Sequence, residues 1–95
     1  SLVDKDEQRS SKAFRSFKVY PNPNDGQFTI DYELNEAFET RILIFDHLGN
    51  NIFSKSIPNT IGHKEEIALQ SVPPGIYIVM VNTSSEVQTA SVIIH

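Results

Sequence analysis

From Phe17 onward apolar and polar residues alternate with a period of two, most cleanly in Gln27-Phe28-Thr29-Ile30-Asp31-Tyr32. Successive side chains leave a strand on opposite faces, so this period marks a strand with one buried face. Seven runs read this way: Phe17–Val19, Gln27–Glu33, Arg41–Asp46, Asn51–Ser56, His63–Leu69, Ile76–Asn82 and Glu86–Ile94. Two depart from alternation. Ile42-Leu43-Ile44-Phe45 is apolar throughout, which predicts a central strand covered on both sides or an outer face under a loop. Ile76–Asn82 is the most apolar run and predicts a central position, with Tyr77, Val79 and Val81 inward. No helical period emerges.

The breaks between runs carry turn chemistry. Pro21 and Pro23 lack N–H donors and bias Tyr20 and Asn22 toward extended backbone, so a continuous ladder is not expected there; Asn24-Asp25-Gly26 then supplies a turn. Leu34–Glu39 reads as a polar connection from which Leu34 and Phe38 fold back over the core. Asp46-His47-Leu48-Gly49-Asn50 has the spacing of a type I turn closed by a left-handed Gly49. Pro58–Gly62 breaks the chain again, and Pro73-Pro74-Gly75 predicts a type II turn with positive φ at Gly75. The structural turn residues are therefore Pro21, Pro23, Gly26, Asp46, Gly49 and Pro74.

Seven short runs with turn signals between them predict an all-β fold, a seven-stranded immunoglobulin-like antiparallel β-sandwich, with a partly open barrel as the alternative. The expected core is Phe28, Ile30, Ile42, Ile44, Ile52, Ile67, Leu69, Tyr77, Val79, Val81 and Val92. Burying each contributes roughly 1.5–3 kcal/mol before chain entropy is subtracted.

Ninety-five residues limit the chain to one domain. Ser1–Ser16 has seven charged residues and no usable apolar period, so it is expected to be a linker contributing no core face, with the domain running over residues 17–95. The sequence opens at Ser1 with no Met and no apolar signal region, which predicts a fragment of a longer protein, any targeting signal lying upstream. The net charge of −4 comes without a basic patch, so nucleic acid is not an expected partner. Without cysteine, disulfides and thiolate metal sites are excluded. The longest apolar run, Ile76–Val81, is far short of the roughly 20 residues a membrane-crossing helix needs, so direct membrane insertion by a helix is not expected.

Catalytic chemistry finds no footing. There is no Gly-x-Ser-x-Gly, no His-Glu-x-x-His and no Cys, and His47, His63 and His95 are scattered over a turn, a strand start and the last position. Asn22, Asn24, Asp25 and Asp31 are oxygen ligands in kind, but bonding to nearby backbone accounts for them without calcium. Tyr20, Tyr32 and Tyr77 fall on different strands, which fits core and rim packing better than a sugar-stacking platform. No cofactor, metal or catalytic residue is expected.

Tyr20-Pro21-Asn22-Pro23 with Gly26, Asp46 with Gly49, Gly75-Ile76-Tyr77 and a closing apolar strand together resemble the C-terminal sorting domains of the bacterial type IX secretion system, over Phe17–His95. The resemblance implies a secreted protein of Bacteroidetes-type bacteria, exported through the periplasm to the cell surface. A translocon at the outer membrane would recognise the folded domain, and a sortase-like protease would cut on its N-terminal side, freeing a covalently linked upstream passenger. On that reading recognition falls to Gly75, Tyr77, Val92, Ile93, Ile94 and His95, and cleavage to the region Ser10, Ser11, Lys12, Ala13, Phe14, Arg15 and Ser16. The sequence departs from the family pattern at Asn50, where a basic residue commonly follows Gly49, and in Thr89–His95, which lacks the lysine often found at its start. The alternative is an immunoglobulin- or fibronectin-like spacer or adhesion module that binds protein or glycan through its loops.

Overall fold

A computed structural model describes residues 13–95. The described chain forms antiparallel strands β1 (Phe14–Tyr20), β2 (Gln27–Phe45), β3 (Asn51–Ala68), β4 (Gly75–Asn82) and β5 (Val87–Ile94). The hydrogen-bonded order is β1-β2-β4-β5, and β3 also pairs with β2. Thus β2 has β3 along nearly its whole length, while β1 borders its first part and β4 its second.

Five strands replace the expected seven because two expected breaks lie inside strands. Leu34–Glu39 belongs to β2 and Pro58–Gly62 to β3, and the register shifts there, between Glu33 and Phe38 and between Phe38 and Thr40. Polar residues reported a strand surface open to water, and a proline is compatible with an edge strand whose N–H side faces solvent. Dimensions require both strands to bend. Nineteen extended residues span about 60 Å at 3.3 Å each, whereas the molecule's longest extent is 43 Å. The bend preserves the alternation, with Phe28, Ile30, Tyr32, Leu34, Thr40, Ile42 and Ile44 all buried.

Both parts of the bent sheet contribute to one core. It holds the expected Phe28, Ile30, Ile42, Ile44, Ile67, Tyr77, Val79, Val81 and Val92, with Leu69 half-buried against it. Ile52 is instead exposed, since the register shifts between Ile44 and Phe45, opposite Phe53 and Asn51. Tyr32, Leu34, Ile57 and Ile94 are buried in addition. Ala13 and Phe14 are core residues as well, so the expected linker is already part of the fold at its end. The first strand starts at Phe14 rather than Phe17, and the Phe14 ring meets Phe17 and Tyr32 edge-on at 6.3 and 6.0 Å between centroids. A bulge between Phe14 and Ser16 interrupts the alternation that would have revealed it. The rest of the expected linker, residues 1–12, lies outside the described residues.

Tyr32 precedes the bend and Thr40 follows it, and their hydroxyls are hydrogen-bonded to each other while both residues are fully buried. Burial pushes the Tyr32 hydroxyl above its ordinary value, a rise that the bond to Thr40 tempers. At the β3 edge the inner row ends in charge. Glu65 lies opposite Ile30, and its two oxygens take Nε2 of His63 at 2.7 Å and Nζ of Lys55 at 2.9 Å, joining the two ends of β3 across its bend. Burial raises the Glu65 carboxyl, but the bonds and charges of His63 and Lys55 outweigh it and hold the group below the usual carboxylate range.

Removing one hydroxyl of the Tyr32–Thr40 pair strands the other. Tyr32→Phe and Thr40→Val should each destabilise by about 1–3 kcal/mol, and the double variant by much less than their sum; additive losses in denaturant titrations would show that the pair does not hold the bend.

A carboxyl depressed on folding stabilises the native state above its unfolded value and loses that contribution as pH falls through the folded one. Wild type should therefore exceed Glu65→Gln by about 1 kcal/mol or less at neutral pH, a gap that closes as pH drops below 4.5, the ordinary Glu value. A gap unchanged down to pH 3 in thermal melts would exclude the pairing.

Candidate functional site

The segment between β1 and β2 is a strap across the outer edge of β5. The Asn22 side chain stands in for a backbone unit, with Nδ2 donating to the Ser91 carbonyl at 3.0 Å and Oδ1 accepting from Ile93 N–H at 2.9 Å. Two residues on, Asn24 N–H donates to the Ile93 carbonyl and the Asn24 carbonyl accepts from His95 N–H, both at 2.9 Å, forming a parallel bridge. Pro21 and Pro23 have no donor to offer, so the alternate residues make all of these bonds. The sequence carries that alternation as Pro21-Asn22-Pro23-Asn24.

Short-range bonds fix the strap. Asn24, almost fully buried, accepts from Gly26 N–H at 2.8 Å through Oδ1 and donates to the Pro21 carbonyl at 2.9 Å through Nδ2; Asp25 Oδ1 accepts from Gln27 N–H. Asp31 Oδ2 accepts from the Tyr20 hydroxyl at 3.2 Å. Gly26 has φ +109°, and a Cβ there would lie 2.6 Å from the Leu69 carbonyl oxygen, so only glycine lets the strap pass.

Neighbouring turns complete this end of the molecule. Asp46 Oδ1 accepts from the N–H groups of Leu48 and Asn50, its Oδ2 accepts from Asn50 Nδ2, and Gly49 N–H closes on the Asp46 carbonyl at 3.0 Å with φ +88°. The bonds from Asn50 and Leu48 hold the Asp46 carboxyl below its usual value. Asn50, in place of a basic residue, is therefore part of the turn itself. Gly75 has positive φ, but at +156° it lies far from the roughly +80° of the expected type II turn. The Tyr77 hydroxyl reaches back to the Pro73 carbonyl at 2.5 Å and secures that loop.

The residues expected to be recognised form one cross-strand block, Gly75 opposite Ile94, Ile76 opposite Ile93 and Tyr77 opposite Val92. Tyr77, Val92 and Ile94 are buried, leaving Ile93 and His95 as the exposed side chains of the expected set. The strap engages Ser91, Ile93 and His95, so the outer edge of this block is bonded at its end.

At the opposite end, Ala13 N–H donates to Glu86 Oε1 at 3.1 Å and Asn35 N–H donates to the Ala13 carbonyl at 2.8 Å. Of the expected cleavage region, Ala13–Ser16 are within the folded structure, and Ser10–Lys12 lie outside the described residues. Among the described residues, no His, Cys, Asp or Glu group is arranged to hold a metal. Among the described residues, open depressions of about 430 Å³ lie beside Pro21, Phe28 and Ile67 and of about 540 Å³ beside Arg41, Ser56 and Asn82. Tyr32 and Tyr77 are buried while Tyr20 is exposed, so no tyrosine platform forms.

A family model described as the secretion system C-terminal sorting domain matches residues 18–95, and no curated protein matches the chain.

The strap's dependence on Gly26 is measurable. Gly26→Ala combines positive φ with backbone overlap and should cost about 3 kcal/mol or more, whereas Gly49→Ala meets open space and should cost about 1–2 kcal/mol. Equal losses of melting temperature would contradict the close approach to Leu69.

Proposed function

The chain belongs to the type IX secretion system C-terminal sorting domains, and on that footing we propose that it directs an upstream passenger across the outer membrane through the type IX translocon and is then removed by a sortase-like protease. The family match over residues 18–95 carries this reading. We also infer that the bent sheet folds over a shared core as an immunoglobulin-like sandwich, motivated by one buried cluster fed from both parts of β2.

The two ends of the domain suit the two events. Ala13, bonded to Asn35 and Glu86, and His95, bonded to Asn24, are separated by the length of β1, about 20 Å for seven extended residues. A receptor can hold the end of β5 while the passenger leaves from the other. The Ile93 and His95 side chains, together with the block from Gly75 to Tyr77, are the recognition surface in this proposal, and the buried members Val92 and Ile94 set its shape. Cleavage belongs upstream of Ala13, because a protease needs an extended, unpaired substrate segment and β1 is paired. That leaves Ser10–Lys12 of the expected region, or residues before it.

A reporter with a secretory leader, fused in front of this chain and expressed in a bacterium with a type IX system, should reach the cell surface with the domain removed. Deleting the translocon should leave it in the periplasm. A reporter that stays in the periplasm of the intact strain, although the domain is folded, would refute the sorting role and favour a spacer module.

A further inference from the structure

The three strands with an open side differ in how that side is protected. An unpaired edge invites another strand unless charge, proline, bulges or a cover discourages it. On β1 there is a bulge together with Arg15 and Lys18. Along β3 there are Pro58, several register shifts, Lys64 and Glu66, and the inward Lys55–Glu65–His63 cluster. β5 has no charge, proline or bulge. Neither β4 nor β5 contains a charged residue or a proline, in a chain with a net charge of −4.

The strap guards only the last part of β5. Since Ile93 directs its N–H and carbonyl to the outer edge, the alternation places those of Val87, Thr89 and Ser91 there too, with residues 88, 90, 92 and 94 turned to β4. The Ser91 carbonyl is taken by Asn22. The N–H and carbonyl of Thr89 and the N–H of Ser91 face this edge, along which β5 pairs with no other strand. β1 approaches β5 but exchanges no ladder bond with it. Glu86, bonded to Ala13, and the strap at Ser91 bound a short opening of about one strand's length. Above it, the outward row is Val87, Thr89, Ser91 and Ile93 beside Ile76, Ile78 and Met80, with Ile76, Val87 and Ile93 exposed.

We propose that the Val87–Ser91 edge of β5 accepts an extended, uncharged segment of a receptor chain by strand addition, that segment's alternate apolar side chains packing beside exposed Val87 and the uncharged outward row. This rests on the sorting role and assigns it a contact. Main-chain hydrogen bonds supply the affinity, and the charge-free surface excludes charged segments that would be desolvated against it. The strap fixes where the added strand stops, because beyond Ser91 the edge is already bonded.

The test uses the reporter fusion in the bacterium with an intact type IX system. Thr89→Pro removes an outward N–H without touching the β4 ladder, Thr89→Lys keeps the backbone but adds the charge that natural edges use, and Thr89→Val is the control. With melting temperatures confirming folded domains, Pro and Lys should each reduce surface delivery by about tenfold or more, the effect of losing roughly 1.4 kcal/mol of binding, while Val should match wild type. If Thr89→Pro alone fails to fold, Thr89→Lys decides. Normal delivery by a folded Pro or Lys variant would overturn strand addition while leaving the sorting role intact, and failure of the wild-type fusion would remove both. A concentration-dependent dimer in sedimentation, abolished by Thr89→Lys while delivery is unaffected, would give the edge to a second copy of this chain and overturn the receptor assignment.

Discussion

The bend in β2 is the constraint on which the molecule depends. A strand of this length cannot stay straight in a body 43 Å long, yet it must keep its inner row in phase so that Tyr32 and Leu34 before the bend and Thr40 and Ile42 after it remain buried. A slip of one residue would turn the whole second row toward water. The bond between the Tyr32 and Thr40 hydroxyls meets the polar cost of burying both groups and links the two sides of the bend. On the neighbouring strand, Glu65 bridges His63 and Lys55 across the corresponding bend. One corner is thus closed by a neutral pair inside and an ionic group at the edge.

The inner rows were legible in the sequence because period two survives wherever a strand has one wet face. Phe28 and Ile30 are legible that way, Ile42, Ile44, Tyr77, Val79 and Val81 as members of apolar runs, and all are buried. Continuity was not legible. A bend with solvent on its convex side carries the same polar residues as a loop, so Asn35, Glu36 and Glu39 read as a connection, and Pro58 read as a stop although an edge strand tolerates it. Phe14 was missed because a bulge put it out of phase with Phe17, and Ile94 because a strand end does not announce a cover supplied by a segment some seventy residues earlier.

The strap explains why the turn before β2 and the end of β5 cannot be considered separately. Asn22 and Asn24 make their bonds to β5, while Gly26 threads past Leu69 after β3, so one short segment ties three parts of the chain. Turn propensity correctly identified Asn24-Asp25-Gly26 as a local feature. It could not show that Asn22, exposed and flanked by prolines, acts as a piece of strand for Ser91 and Ile93.

Protection of the edges follows from this division of labour. β3 has a free side along its whole length and relies on side chains that no incoming strand would accept, whereas β5 has none and relies on a physical cover. A cover protects only what it reaches. An edge left without charge between two bonded ends is costly to a protein that merely has to remain monomeric, since one lysine at Thr89 or Ser91 would remove the hazard without disturbing a buried residue. The absence of that simple safeguard, on the two strands that carry no charge at all, is the physical reason to regard the opening as a surface with a use.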